Sequence, residues 1–237
     1  MSMFIPQEAL PYIFFQRTAY LNDKPLKRFL DVVSARIPFL YKLNVNFLTT
    51  IYAQEFKDSF SKDMQEEFSQ ILPSLPSSMT SLLDIGCGVA GFEVVLNQHF
   101  KNSVDNYLLD KTATDKTIYY KFEKRGSFYN SLETAKHLLT ANSVPETKIH
   151  LQEATPDNKI LLSATSIDVV ISLISWCFHY PAETYLDEVC RVLKPGGILI
   201  VDVRKGTDGE ERIRAKLTYQ KTIHEDKKMK RLCFLKT

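Results

Sequence analysis

The chain has 237 residues, 44% of them hydrophobic and 24% charged, with a formal net charge of +2. That is enough chain to bury a core without disulfide or metal staples, and too little net charge for the whole-molecule field to select nucleic acid or a membrane surface. The four cysteines, Cys87, Cys177, Cys190 and Cys233, lie far apart with no CxxC pair, which argues against a metal site and for small buried thiols in a reducing compartment.

The N-terminal stretch Met1–Glu8 has no basic region, and Pro6 and Glu8 interrupt its apolar run, so it does not read as a signal peptide. No apolar run is long enough to span a bilayer, and the expectation is a soluble, cytoplasmic protein with no membrane partner. Residues 1–78 contain no glycine. Their apolar residues recur at helical spacing, most clearly in the i, i+4 series Tyr52, Phe56, Phe60, Met64 and Phe68. Leu26, Phe29, Leu30, Val33 and Ile37 predict a second helix, ended near Pro38. This is a helical extension packed on the main domain or on a partner, its aromatic stripe reading first as core, with a lid over a substrate site or a homodimer contact as further roles. The prolines of Leu72–Ser78 mark a linker, so the main domain spans residues 79–237.

That domain opens on Leu82-Leu83-Asp84-Ile85-Gly86-Cys87-Gly88-Val89-Ala90-Gly91, an apolar strand running into three of the eight glycines of the chain. A helix over Ala90–His99 follows. Glycines there allow positive φ and close approach of a ligand to bare backbone. The helix behind them presents unpaired N–H groups and a positive dipole end. Strand, glycine turn and helix together make a nucleotide-binding edge. The spacing Gly86-x-Gly88-x-x-Gly91 also fits a dinucleotide fingerprint, so an NAD(P)-dependent oxidoreductase is an alternative. Asp84 weighs against it, because an anion at the strand tip suits an amino group and repels a pyrophosphate.

Tyr107–Leu109 predicts strand 2, ending at Asp110, nineteen residues after Gly91. An acid at that distance accepts from both hydroxyls of a ribose. Residues 111–126 read as a polar loop, followed by a helix over Ser131–Asn142 with Asn130 and Glu133 in a capping arrangement. Strand 3 is Lys148–Leu151. Strand 4, Ile167–Leu173, is continuous enough to be a central parallel strand. Pro181 then opens a helix reaching Leu193. Lys194-Pro195-Gly196-Gly197 breaks it, and Ile198–Val203 is strand 5. A short helix over Gly209–Leu217 and a hairpin of Thr218–His224 with Arg231–Leu235 complete the chain. The run Lys227, Lys228, Lys230 and Arg231 reads as an exposed turn, thin support for RNA binding.

Leu83-Asp84-Ile85-Gly86-Cys87-Gly88 resembles the first motif of class I S-adenosylmethionine-dependent methyltransferases, and Arg191-Val192-Leu193-Lys194-Pro195-Gly196-Gly197 resembles their phrase after strand 4. Ser175–Pro181, Phe128–Leu132 and Asp202–Gly206 are similar to bacterial sugar O-methyltransferases. The resemblance covers about residues 80–237 and leaves the extension unmatched. It implies an α/β, Rossmann-like, doubly wound, mostly parallel seven-stranded sheet with an antiparallel C-terminal edge hairpin. It implies S-adenosyl-L-methionine held by Asp84, Gly86, Cys87, Gly88, Asp110, Lys111, Glu153, Ala154 and Ser172. The aromatic–Asn-Pro-Pro-Tyr motif of amino methylation is absent, since the strand tip reads Ser172-Leu173-Ile174-Ser175.

Methyl transfer to a hydroxyl benefits from a base, and ligands bind outside the carboxyl ends of the strands. His179, the one histidine near the strand 4 tip, can accept a proton at neutral pH, with Tyr180 beside it as second catalytic candidate. Trp176, Tyr129, Asn130 and Arg204 are the substrate candidates, Arg204 with Lys205 for a phosphate or carboxylate. The expected reaction is methylation of an oxygen on a small molecule such as a sugar or glycan precursor. RNA or a protein side chain as acceptor is an alternative, and a non-catalytic scaffold a further one.

Overall fold

The structure is a computed structural model and describes residues 3–17, 20, 40–114 and 129–237. The helix expected over Leu26–Ile37 and most of the loop over 111–126 lie outside the described residues, as does Phe128.

In the extension, α1 spans Leu10–Gln16, α2 Leu40–Ile51 and α3 Ala53–Ile71. Phe56, Phe60, Met64 and Phe68 are buried on one face of α3, as an i, i+4 series on a 3.6-residue helix requires. The main domain follows as β1 (Ser81–Ile85), α4 (Gly91–His99), β2 (Asp105–Asp110) and the two-residue strands β3 (Ala113–Thr114) and β4 (Tyr129–Asn130). Next come α5 (Leu132–Ala141), β5 (Ile149–Glu153), β6 (Ile167–Ser172), β7 (Ser175–Tyr180) and α6 (Leu186–Val192). The last elements are β8 (Leu193–Arg204), α7 (Gly209–Arg214), β9 (Thr218–Glu225) and β10 (Met229–Leu235).

Seven strands make one sheet in the order β5-β2-β1-β6-β8-β10-β9. β5, β2, β1, β6 and β8 pair in parallel, and β10 runs antiparallel to both β8 and β9. This is the doubly wound sheet with the C-terminal edge hairpin that the sequence predicts. Strand order reverses between β1 and β6, so the carboxyl ends of those strands flank the crevice where such sheets bind ligands. One face carries a core of Phe56, Phe60, Met64, Val94, Leu96, Ala135 and Leu138 together with Ile5 and Leu10. The extension therefore packs into the same core as the sheet. The other face buries Trp176, Leu186, Val189, Ile213 and Phe234.

Four local readings are refined. Ser131, not Asn130, caps α5: its Oγ accepts from Thr134 N at 3.2 Å, and Asn130 belongs to the β3–β4 ribbon. Pro181 opens no long helix. It is extended (φ −60°, ψ 152°) and leads into a 3-10 turn over Ala182–Thr184, so α6 keeps only Leu186–Val192. Ser175–Tyr180, given no element by the sequence, is the extended β7. Finally, Lys194–Gly197 is absorbed into β8, because Lys236 clasps the glycine pair through Gly196 N–H to Lys236 O (2.7 Å) and Lys236 N–H to Gly197 O (2.9 Å).

Candidate active site

β1 delivers the chain to the crevice at Ile85. Gly86 turns with φ +83° and Gly88 with φ +56°, both in the left-handed region that glycine enters at no steric cost. Ala90 follows at φ 61°, as the residue preceding α4, a position that strains an L side chain. All three glycines are approached closely. A Cβ on Gly86 would lie 1.8 Å from Ser175 Oγ, one on Gly88 2.8 Å from Gln16 Oε1, and one on Gly91 2.4 Å from the Phe60 ring. The start of β7, the end of α1 and the middle of α3 thus all close on this turn. The extension reaches the glycine loop, which its lack of any family motif left unannounced.

Acidic side chains gather under the turn. Asp110, at the tip of β2, accepts from Gly88 N–H at 2.9 Å and Lys111 N–H at 2.7 Å, with the Asn130 amide as a further donor. Burial still pushes its carboxyl up to about 6, because desolvation outweighs those three donors. Asp84 is buried, and its Oδ1 has no hydrogen-bond partner. Burial, then the neighbouring Glu93, then Asp110 and Glu67 hold it well above the usual carboxylate range. Glu93, on the first turn of α4, is 0% exposed and neither of its carboxylate oxygens has a partner. The sequence reading passed over Glu93. The available signal was an acid on the face shared by Ala90, Glu93 and Asn97, which helical spacing turns toward the core.

The other residues expected around the cofactor divide. Cys87 is buried beside Asn130, with Sγ 4.0 Å from the amide nitrogen, and burial pushes its thiol up. Asn130, expected at the substrate, instead stands with Asp110 and Cys87. Tyr129 lies in β4 opposite Thr114. Lys111 is exposed, and Glu153 accepts from Thr112 N–H at 2.7 Å. Ala154 donates its N–H to Asp110 O at 2.9 Å, so the ends of β2 and β5 are tied together. The Ser172 hydroxyl is committed elsewhere: it donates to Ile85 O (2.7 Å) and accepts from Trp176 N–H (2.9 Å). It ties β1 to the strand tip from a fully buried position.

Trp176 is also corrected. It is 0% exposed, and its indole N–H donates to Ala182 O at 3.0 Å. Trp176 and Cys177 are both buried, and after Cys177, which turns with φ 63°, Phe178, His179 and Tyr180 are left half-buried at the edge. The His179 Nδ1 is buried without a partner. Burial first, and the Arg204 charge second, lower the pKa of the ring below the ordinary 6.5, so it is neutral at pH 7. Arg204 donates to Phe178 O at 3.3 Å and lies 5.0 Å above the Phe178 ring. Arg17, Arg191, Arg212, Arg214 and Arg231 each pair with a carboxylate, whereas Arg204 has no acid partner among the described residues. Lys205, expected beside it as an anion ligand, pairs with Glu225 at 2.6 Å.

Arg231, expected in an exposed basic turn, is 2% exposed. Its Nε and Nη2 bond the two oxygens of Asp202 at 2.7 and 2.8 Å. Asp202 Oδ2 also accepts from Ile174 N–H at 3.0 Å and so holds the left-handed turn (φ 52°) between β6 and β7. Arg231 stands 3.8 Å from Glu67 Oε1, and Glu67 bonds Arg17 at the end of α1 at 3.0 Å. One chain of charges therefore links the extension to the tip of β6.

Residues 122–201 match the family model described as a methyltransferase domain. No curated protein matches the sequence. Among solved structures, a protein from Pyrococcus horikoshii OT3 aligns with TM-score 0.54 at 14% identity, over 73% of this chain and 91% of its own. A methyltransferase from Pyrococcus furiosus aligns with TM-score 0.50 at 14% identity, over 73% and 82%. A geranyl diphosphate methyltransferase in complex with GPP and sinefungin aligns with TM-score 0.51 at 10% identity, over 77% and 80%. The chain has the class I methyltransferase fold. Among the described residues, no helix is long and apolar enough to cross a membrane.

Proposed function

We propose that the protein is an S-adenosylmethionine-dependent methyltransferase acting on an oxygen of a small molecule, a sugar or glycan precursor, in the cytoplasm. The observation that carries this reading is the pair of acids flanking the glycine turn. Asp84 Oδ1 is an acceptor without a donor, suited to an amino group, and Asp110 offers a carboxylate to a vicinal diol. When bound, the sulfonium supplies an activated methyl carbon for in-line displacement. The chain supplies the rest. Gly86 and Gly88 carry no side chain of their own on the backbone offered to the ligand, and the groups that approach them are the Ser175 and Gln16 side chains. His179, held neutral, takes the proton of the acceptor hydroxyl at a ring nitrogen. Arg204, without an acid of its own, is available to an anionic group on the acceptor.

Calorimetry with S-adenosylhomocysteine and with NADH tests the cofactor. Micromolar binding of the former and none of the latter is expected; the reverse ends this reading in favour of an oxidoreductase. A labelled methyl donor offered with fractionated metabolites then identifies the acceptor. Label entering RNA or protein instead would replace the small-molecule assignment.

A further inference from the structure

Beneath the glycine turn, three buried carboxylate oxygens on two side chains have no donor: Asp84 Oδ1 and both oxygens of Glu93. Asp84 comes from the last turnward residues of β1 and Glu93 from the first turn of α4, and each acts directly on the other. Around them stand Asp110 from β2, Glu67 from α3 and the Cys87 thiol from the turn itself. Glu67 is already paired with Arg17. On the α4 side, Phe60 and Met64 pack against Gly91, so α3 brings apolar groups to that end of the helix. Two adjacent carboxylates in such surroundings cannot both ionise, and they bond each other only by holding a proton between them.

We propose that Glu93 is a positioning residue for the cofactor: it and Asp84 share one proton, which keeps the pair at a single negative charge and orients the Asp84 oxygen that receives the cofactor's amino group. This rests on the cofactor reading above. A lone carboxylate at Asp84 would be neutralised by its burial and lose the charge that the ligand requires; a second full charge at Glu93 would be equally foreign to the site. The pair settles at the one value that matches a single ammonium. Burial raises both acids, in keeping with a retained proton. The proton belongs to the pair rather than to either residue.

Infrared spectra of the free protein at pH 8, above the range where Asp110 titrates, test the shared proton without any ligand. The wild type is expected to show one protonated-carboxyl band that Glu93→Gln lacks. Glu93→Gln should bind S-adenosylhomocysteine within about threefold of wild type, since its amide still donates to Asp84, while Glu93→Leu should bind at least about tenfold more weakly. Absence of the band in the wild type overturns the proposal, as does equal weakening by the Gln and Leu variants. A wild type that has the band yet binds no S-adenosylhomocysteine would refute the cofactor reading and, with it, the role given to Glu93. Should Glu93→Leu not fold, the wild-type band and the Glu93→Gln affinity still decide.

Discussion

In the proposed cofactor role, Asp110 combines two demands that pull against each other: it is buried, and as a carboxylate it is to accept from a diol. Its carboxyl sits at about 6, so the affinity for S-adenosylhomocysteine should fall as pH drops through that value. Asp110→Asn should bind at least about tenfold more weakly at pH 8 and show no such step, as measured by calorimetry across the pH range. For folding the sign is opposite. An acid raised from 3.8 contributes most below its unfolded value, and that contribution is lost as pH climbs through about 6. His179 titrates below its ordinary value, so turnover should decline only under acid conditions, below about pH 6.5. His179→Ala should cost roughly a hundredfold in turnover and leave cofactor affinity unchanged; equal turnover in a steady-state assay removes it as the base. At this scale the sequence was legible where a chemical group stands at a strand end, as with Asp84 and Asp110. It was opaque where orientation decides. Trp176 and His179 sit three residues apart, and the left-handed turn at Cys177 between them separates a buried ring from one at the edge.

Among the elements, Asp168 on β6 does more than its sequence neighbours suggest. Its Oδ2 accepts from the N–H and hydroxyl of both Thr80 and Ser81, and its Oδ1 from Lys194, so one side chain ties together the starts of β1, β6 and β8. Those donors hold it down at about 2. Its stabilising contribution is therefore complete above 3.8 and is lost as pH falls toward about 2. Asp168→Asn should lower the thermal midpoint by a few degrees at pH 7, about 4 °C per kcal/mol lost or less for a chain of this size, with little difference from wild type near pH 2; scanning calorimetry at the two pH values checks both. The strands of the seven-stranded sheet, its C-terminal hairpin included, were legible because alternation and apolar runs are local patterns, whereas β3, β4 and β7 were not. The shortened α6 was not. Pro181 permits a helix start and equally an extended residue, and the choice falls to β7, whose backbone continues straight into it.

For the molecule as a whole, the junction at residue 78 is a change of composition rather than a break in the core. Phe56, Phe60 and Met64 share one apolar cluster with Leu82, Val94 and Ile171. A fragment of residues 79–237 should therefore fail to give a soluble, cooperatively unfolding protein, which expression and thermal scanning would show. The ion chain from Arg17 through Glu67 and Arg231 to Asp202 crosses the same junction. Removing one member leaves a buried charge uncompensated, so Asp202→Ala should destabilise by about 3–5 kcal/mol in denaturant titrations. That ion chain was not readable in advance. Arg231 lies in a lysine-rich stretch, and its burial depends on residues 29 and 164 positions away, Asp202 and Glu67.

The Gln16 amide stands where a Cβ on Gly88 would lie, over the backbone that the proposed cofactor would contact. On the proposed cofactor reading, association requires that side chain to be displaced, and capture speed should then follow how readily it moves aside. In stopped-flow traces, Gln16→Ala should take up S-adenosylhomocysteine several-fold faster while releasing it at nearly the native rate, since the toll is levied on entry alone.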